Sequence, residues 1–335
     1  MKAFNLLEAT QANEHTDGES WQDAANLWQW HGQGILQVEP RHRDIKRSIV
    51  LSCGVHGNET APIELLNSLV AELSLEQQSL TARVLFIVGN PPAIELQKRF
   101  IDENLNRLFV RKEPPFANAE QRRAKTLEMH VDRFFAASDK SMPRVHYDLH
   151  TAIRGSEYPF FAVYPFVQNM DFSSAAVARI QASGIDTVLL SSEPSTTFSH
   201  YSAKYHGAEA FTVELGQVSA FGHNNLEPMV PIRRVIKSML HDNFFPEPEL
   251  NDAALNLFQV SRVIHRNYDD FSLAFDDQLK NFTRFKKDQP LAYEANQTIY
   301  ADFDNEVVVF PNAAVAIGQR AMLTLKAADA SVLRS

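Results

Sequence analysis

Residues 47–73 restrict the fold more than any other stretch of this chain. Arg47 to Cys53 is an apolar, β-rich run, a glycine-containing turn follows, and leucines at 65, 66, 69 and 73 then recur at helical spacing over 61–73. That is strand, loop, helix, and the pattern repeats. Residues 84–88, 144–150, 160–164, 187–190 and 210–215 read as further strands, with helices at 119–137, 173–183 and 231–241. Strands that alternate with helices predict an α/β fold with a mostly parallel, mixed sheet covered by helices on both faces. Residues 26–40, ahead of this region, read as an opening hairpin.

The character changes at Phe244-Phe245-Pro246-Glu247-Pro248-Glu249, whose prolines and acids suit a linker. Beyond it, strand-like runs at 257–264, 298–303, 307–310 and 321–325 occur without helices between them. With 335 residues, enough for two domains, the expected division is a catalytic domain over 1–245 and a smaller β-rich domain over 250–335.

Composition narrows the partners. A net charge of -9 without a long Lys/Arg run excludes the usual footprint of a nucleic-acid binder, so an anionic ligand needs a local basic pocket. No window reaches the roughly 18 apolar residues that span a bilayer. The single cysteine, Cys53, lies in a buried-strand pattern and reads as an inert core thiol. The expected setting is cytoplasmic, with neither a membrane nor a nucleic acid as partner.

The chemistry gathers at four places. Gly54-Val55-His56-Gly57-Asn58-Glu59-Thr60 sits where a strand ends and a helix begins, the place where open α/β sheets build their sites. His56 and Glu59, three apart, are close enough to share a cation, and an imidazole with a carboxylate suits zinc. A His-x-x-Glu also arises by chance, and Asn58 or Thr60 could simply cap the helix. In 144–150 the alternation of a strand turns His146, Asp148 and His150 to one face. The two histidines are roughly 13 Å apart, so only one can serve as the third ligand. His150, at the carboxyl end of the strand, is chosen; His146 is left structural or surface, and Asp148 is placed to accept from a ligand imidazole. Glu214 interrupts an apolar strand, Phe211-Thr-Val-Glu214-Leu-Gly216, and fits a general base or a buried ion pair with an arginine. Arg99 and Arg107, with Asn106, follow Asn90-Pro91-Pro92. They read either as a solvated helix face or as guanidinium forks for a small dicarboxylate.

Taken in order, His56-Gly-Asn-Glu59, Asn90-Pro91, Asp102-x-x-Leu105-Asn106-Arg107, Asp148-Leu-His150 and Glu214-x-Gly216 resemble the succinylglutamate desuccinylase and aspartoacylase family, a branch of the zinc carboxypeptidase-like hydrolases. The resemblance covers about 45–240, and the β-rich tail fits the smaller carboxyl-terminal domain of that family. It implies one zinc per subunit held by His56, Glu59 and His150, Glu214 as general base, Arg99 steadying the scissile carbonyl, and Asn106 with Arg107 holding a substrate carboxylate. Aspartoacylases add an arginine ahead of the catalytic glutamate and a tyrosine in the tail. Here 199–206 offers Lys204, and 310–317 contains no tyrosine. Together with Thr151-Ala-Ile-Arg154 and the chain length, this points toward the branch that cleaves N-succinyl-L-glutamate to succinate and L-glutamate in arginine breakdown. Arg154 and Lys204 are the extra cations expected to grip the substrate. The implied partner is a small acidic N-acyl amino acid, with homo-oligomer formation left open. The competing readings are an aspartoacylase or another N-acyl amino acid amidase, and a catalytically silent zinc- or anion-binding module.

Overall fold

The computed structural model describes residues 3–42, 44–241 and 248–334. The expected linker at 244–249 therefore lies largely outside the described residues. Among the described residues nine strands run through the first part of the chain, β1 (Ser20–Gln22), β2 (Asn26–Trp30), β3 (Ile35–Pro40), β4 (Arg47–Cys53), β5 (Ala82–Val88), β6 (Arg144–Ala152), β7 (Phe160–Tyr164), β8 (Thr187–Leu190) and β9 (Glu209–Gln217), and β10 (Asn256–His265) opens the tail. The tail adds β11 (Ser272–Leu273), β12 (Thr283–Phe285), β13 (Pro290–Glu294), β14 (Gln297–Tyr300), β15 (Glu306–Val309) and β16 (Arg320–Ala327). The helices are α1 (Leu6–Ala12), α2 (Thr60–Glu76), α3 (Pro91–Glu95), α4 (Ala119–Ala136), α5 (Ser174–Ala182), α6 (Phe198–His206) and α7 (Val230–His241).

Thirteen strands form one mixed sheet in the order β1-β2-β3-β5-β4-β6-β9-β7-β8-β10-β16-β15-β12, and β11, β13 and β14 form a second. The centre, β5-β4-β6-β9, is parallel. The flanks bring in antiparallel pairs, with β3 on β5 at one side and β7 on β9 at the other. The sheet does not stop at the linker, because β10 pairs parallel with β8 and carries the tail strands as an antiparallel extension.

Burial on both faces explains why β4 and β5 are largely apolar along their length. In β4, Ile49, Leu51 and Cys53 pack into the core shared with α2, α5 and α7, and Val50 faces the opposite core with α4 and α6. β5 does the same, with Val84, Phe86 and Val88 on one side and Leu85 and Ile87 on the other. Each such side chain, removed from water, contributes about 1.5–3 kcal/mol. Cys53 is fully buried, and burial pushes its thiol pKa well up, as an inert core residue requires.

α6 was not legible as a helix. Its sequence, Phe-Ser-His-Tyr-Ser-Ala-Lys-Tyr-His, has modest intrinsic propensity. Tertiary packing supplies what propensity lacks: Phe198 and Tyr201 are completely buried against α4. Thr197 caps its amino end, and Gly207 closes its carboxyl end at a left-handed φ of 61°.

Candidate active site

The carboxyl ends of β4, β5, β6 and β9 lie along one edge of the parallel centre, and β6, β9 and the loop after β4 deliver polar residues there. The loop after β4 is shaped by two glycines. Gly54 adopts a left-handed φ of 63°. Gly57 lies against α3 so closely that a Cβ would stand 2.1 Å from the backbone carbon of Ala93. This contact holds the loop down and turns His56 and Glu59 inward, both buried.

From β6 and β9, His150 and Glu214 are direct register partners on adjacent parallel strands, so their side chains stand side by side. His56 Nδ1 lies 2.8 Å from Glu59 Oε1, and His150 Nδ1 lies 2.8 Å from Glu59 Oε2. The remaining imidazole nitrogens are occupied. His56 Nε2 donates to Asn104 Oδ1 at 2.9 Å, an oxygen fixed as acceptor because it also receives the Asn106 backbone N–H. His150 Nε2 donates to Asp148 Oδ2 at 2.8 Å. With both Nε2 atoms carrying hydrogen, two Nδ1 atoms point at two carboxylate oxygens, an arrangement that needs a positive charge between them.

The electrostatics say the same. Burial would lower the pKa of His150, yet Asp148 and Glu59 hold it well above its ordinary value. Glu59, despite burial, is held well below the usual carboxylate range by His56 and His150. His56 is pushed down to about 4, chiefly by burial and then by Arg99. These carboxylates favour a positive charge at His150, and a divalent cation fits the same place. His56, Glu59 and His150 are a group that could hold a metal ion, their ligand atoms all lying within 4.8 Å of one another.

Glu214 is buried, and its Oε2 has no hydrogen-bond partner among the described residues. Burial raises its pKa to about 7; His150 opposes the rise and Glu59 adds to it. Arg99 donates to Glu59 Oε1 at 2.7 Å, and its loop is pinned where Ile101 N–H donates to Glu120 on α4 at 2.7 Å. Asn106 Oδ1 accepts the Phe198 N–H at 2.9 Å and so fixes the start of α6. These groups open onto a cavity of about 380 Å³, which His56, Arg99, Asn106, Arg107, His150 and Glu214 all line.

The structure therefore brings together seven of the nine residues singled out from the sequence. Arg154 and Lys204 are corrections. Arg154 does not line the cavity: its guanidinium donates to the carbonyls of Asp277 (2.8 Å), Leu279 (3.1 Å) and Pro311 (2.6 Å), where it clasps the tail. Lys204 is exposed on α6, with Nζ 5.0 Å from the Tyr205 ring centroid. His146 is buried and structural, set between Ser52 (2.8 Å) and Ser202 (2.7 Å). Ser52 also donates to Asp148 at 2.5 Å, which leads the same polar chain back to His150. Sequence reasoning missed Asn104, the loop 191–197 on the cavity wall, and Arg320, which reaches the cavity from the tail. Asn104 carried a readable signal as the N-cap of the turn at Leu105–Arg107; Arg320 carried none.

Two family descriptions match the chain: the succinylglutamate desuccinylase/aspartoacylase catalytic domain over residues 45–240, and the AstE/AspA barrel-sandwich hybrid domain over 253–328. A succinylglutamate desuccinylase from Shewanella piezotolerans is 41% identical over 323 residues, 96% of this chain and 91% of the relative. The crystal structure of succinylglutamate desuccinylase from Vibrio cholerae superposes with a TM-score of 0.88 at 35% identity, covering 96% of this chain and 94% of that one. The corresponding structure from Chromobacterium violaceum gives 0.85 at 32% identity, covering 98% and 99%. With its histidines, Glu59 and Glu214 set at the edge where those matches run, the chain belongs to the succinylglutamate desuccinylase/aspartoacylase family.

Proposed function

We propose that this protein is a zinc-dependent hydrolase of a linear amide, cleaving N-succinyl-L-glutamate to succinate and L-glutamate in arginine catabolism. The observation that carries the reading is the in-register pair His150 and Glu214, which sets an unpartnered buried carboxylate beside a His-Glu-His ligand group at the floor of a cationic cavity. The names of the relatives and the match to the catalytic-domain family support it.

His56, Glu59 and His150 would hold the zinc, which when bound supplies Lewis acidity toward a carbonyl oxygen and makes a water easier to deprotonate. Asp148 and Asn104 keep the two imidazoles oriented with their Nδ1 lone pairs inward. Glu214, with a pKa near 7, accepts a proton from the attacking water and returns it to the departing glutamate nitrogen. Arg99 sits at the same edge, where a hydrogen bond to the scissile carbonyl oxygen gains strength as charge develops there. Loss of one such donor costs on the order of 3–4 kcal/mol of transition-state stabilisation. Arg107, with few fixed partners, is available to a substrate carboxylate.

In this reading the division into 1–245 and 250–335 has a purpose, because the first part carries the chemistry and the second closes the cavity. The partner is a small acidic N-acyl amino acid. A cytoplasmic setting accords with the lone buried Cys53; among the described residues no helix is long and apolar enough to cross a membrane. The test is competitive turnover of N-succinylglutamate and N-acetylaspartate by metal-loaded protein. The reading expects the succinyl compound to be cleaved with the larger kcat/KM, and preference for the acetyl compound overturns it.

A further inference from the structure

Arg320 stands on the cavity wall as the first residue of β16, opposite His265 of β10 in the strand register. Two arginines of the adjoining strand β10 and the turn after it are tied down. Arg262 pairs with Asp302 and Glu306, and Arg266 donates to the carbonyl of Val315 at 2.8 Å. Among the described residues, by contrast, no hydrogen bond or ion pair engages the Arg320 guanidinium, whose recorded neighbour is the Phe310 ring with Cζ 5.4 Å from its centroid. Five N–H donors that meet no protein acceptor are unfavourable on a cavity wall unless a ligand or water meets them. Burial lowers its pKa to about 10, with Glu214 favouring the charge and Arg99 opposing it. Arg107 is in the same condition: burial takes it down to about 9, and Arg320 and then Arg99 add to the fall. The Arg107 side chain donates to the Asn106 carbonyl at 2.9 Å and has no carboxylate partner among the described residues.

Two guanidiniums that repel each other across one cavity form a receptor for an anion, and a carboxylate matches their planar, bidentate geometry. We propose that Arg320 and Arg107 jointly bind one substrate carboxylate remote from the scissile amide, so that the tail contributes a specificity-determining residue to the site. The inference rests on the desuccinylase reading, in which N-succinylglutamate offers three carboxylates. It also gives the tail a part that Arg154 and a tail tyrosine do not fill.

The test uses metal-loaded wild type, Arg320→Gln and Arg320→Lys with four substrates. These are N-succinylglutamate; N-butyrylglutamate, without the succinyl carboxylate; N-succinylglutamine, without the γ-carboxylate; and the α-amide of N-succinylglutamate. Arg320→Gln is expected to raise KM for N-succinylglutamate by about 10- to 100-fold with kcat little changed, and Arg320→Lys to restore part of it. One truncated substrate should be insensitive to the substitution, and that one identifies the carboxylate. An equal loss with all four substrates, a fall in kcat at constant KM, or no change overturns the assignment. Calorimetric binding of succinate and of glutamate to the same proteins needs no turnover. If wild type leaves N-succinylglutamate intact yet one product binds at least tenfold more weakly to Arg320→Gln, the desuccinylase reading falls and the Arg320 site stands. If turnover is present and neither KM nor product affinity responds to Arg320, the reverse holds.

Discussion

Replacing Glu214 by glutamine should stabilise the metal-free protein at alkaline pH while abolishing its turnover. Glu214 is raised from 4.5 to about 7 by burial and by Glu59, against the pull of His150. A carboxyl whose folded pKa exceeds its unfolded one holds its proton more tightly in the native state. Its ionisation therefore destabilises the fold progressively as pH rises from about 4.5 to about 7, and the full penalty is present above that. At about 1.4 kcal/mol per pH unit this amounts to about 3 kcal/mol at pH 8. Glutamine has nothing to ionise, but its amide meets the same partnerless surroundings as Oε2, which returns about 1–2 kcal/mol of that gain. The net expectation for Glu214→Gln is about 1–2 kcal/mol at pH 8, shrinking and then reversing as pH falls toward 5. For a chain of this length that is a rise of about 2–3 °C in melting temperature. The assay is a pair of thermal melts on chelator-treated wild type and variant from pH 5 to pH 8, with succinate release from the metal-loaded forms measured alongside. A melting difference that does not vary with pH, or a variant less stable at pH 8, would show that Glu214 is not held as described. Turnover should drop by about two to four orders of magnitude; retained turnover would remove Glu214 as the base.

Two other substitutions separate orientation from clasping. Asp148→Asn preserves the shape beside His150 but removes the charge facing Nε2, and should weaken metal affinity by about 10- to 100-fold in competition with a chromophoric chelator. Unaltered affinity would mean that Asp148 serves the strand packing alone. Arg154→Ala deletes three bonds to tail carbonyls and should destabilise the fold by about 2 kcal/mol, with KM for N-succinylglutamate unchanged. A raised KM at an unaltered melting temperature would put Arg154 back at the substrate.

The parallel centre was legible because its strands are buried on both faces and its helices carry leucines on one side; α2, α4, α5 and α7 fall within about three residues of their expected bounds. The ligand group was legible for a related reason. A histidine and an acid at strand ends, in a chain whose strands and helices alternate, have few places to go but the carboxyl edge of the sheet. Rise per residue allowed only one of the two histidines to serve, and His150 was preferred because it lies at the carboxyl end of the strand; the buried contacts of His146 with Ser52 and Ser202 account for it without a ligand role. What could not be read depended on pairings across long sequence separations. Arg154 and Arg320 are both arginines near strand ends, and local pattern does not distinguish them. The β10–β16 register sends Arg320 to the cavity, whereas Arg154 meets carbonyls more than a hundred residues away. α6 escaped for the same reason, since its buried aromatics find their partners on α4.

The account is tested most directly by metal analysis of the purified protein, coupled to succinate release from N-succinylglutamate before chelation, after it, and after zinc is restored. It predicts one zinc per chain, loss of turnover with the metal, recovery on adding it back, and loss of the bound zinc in His56→Ala and His150→Ala. Full turnover by protein that carries no divalent ion would contradict it.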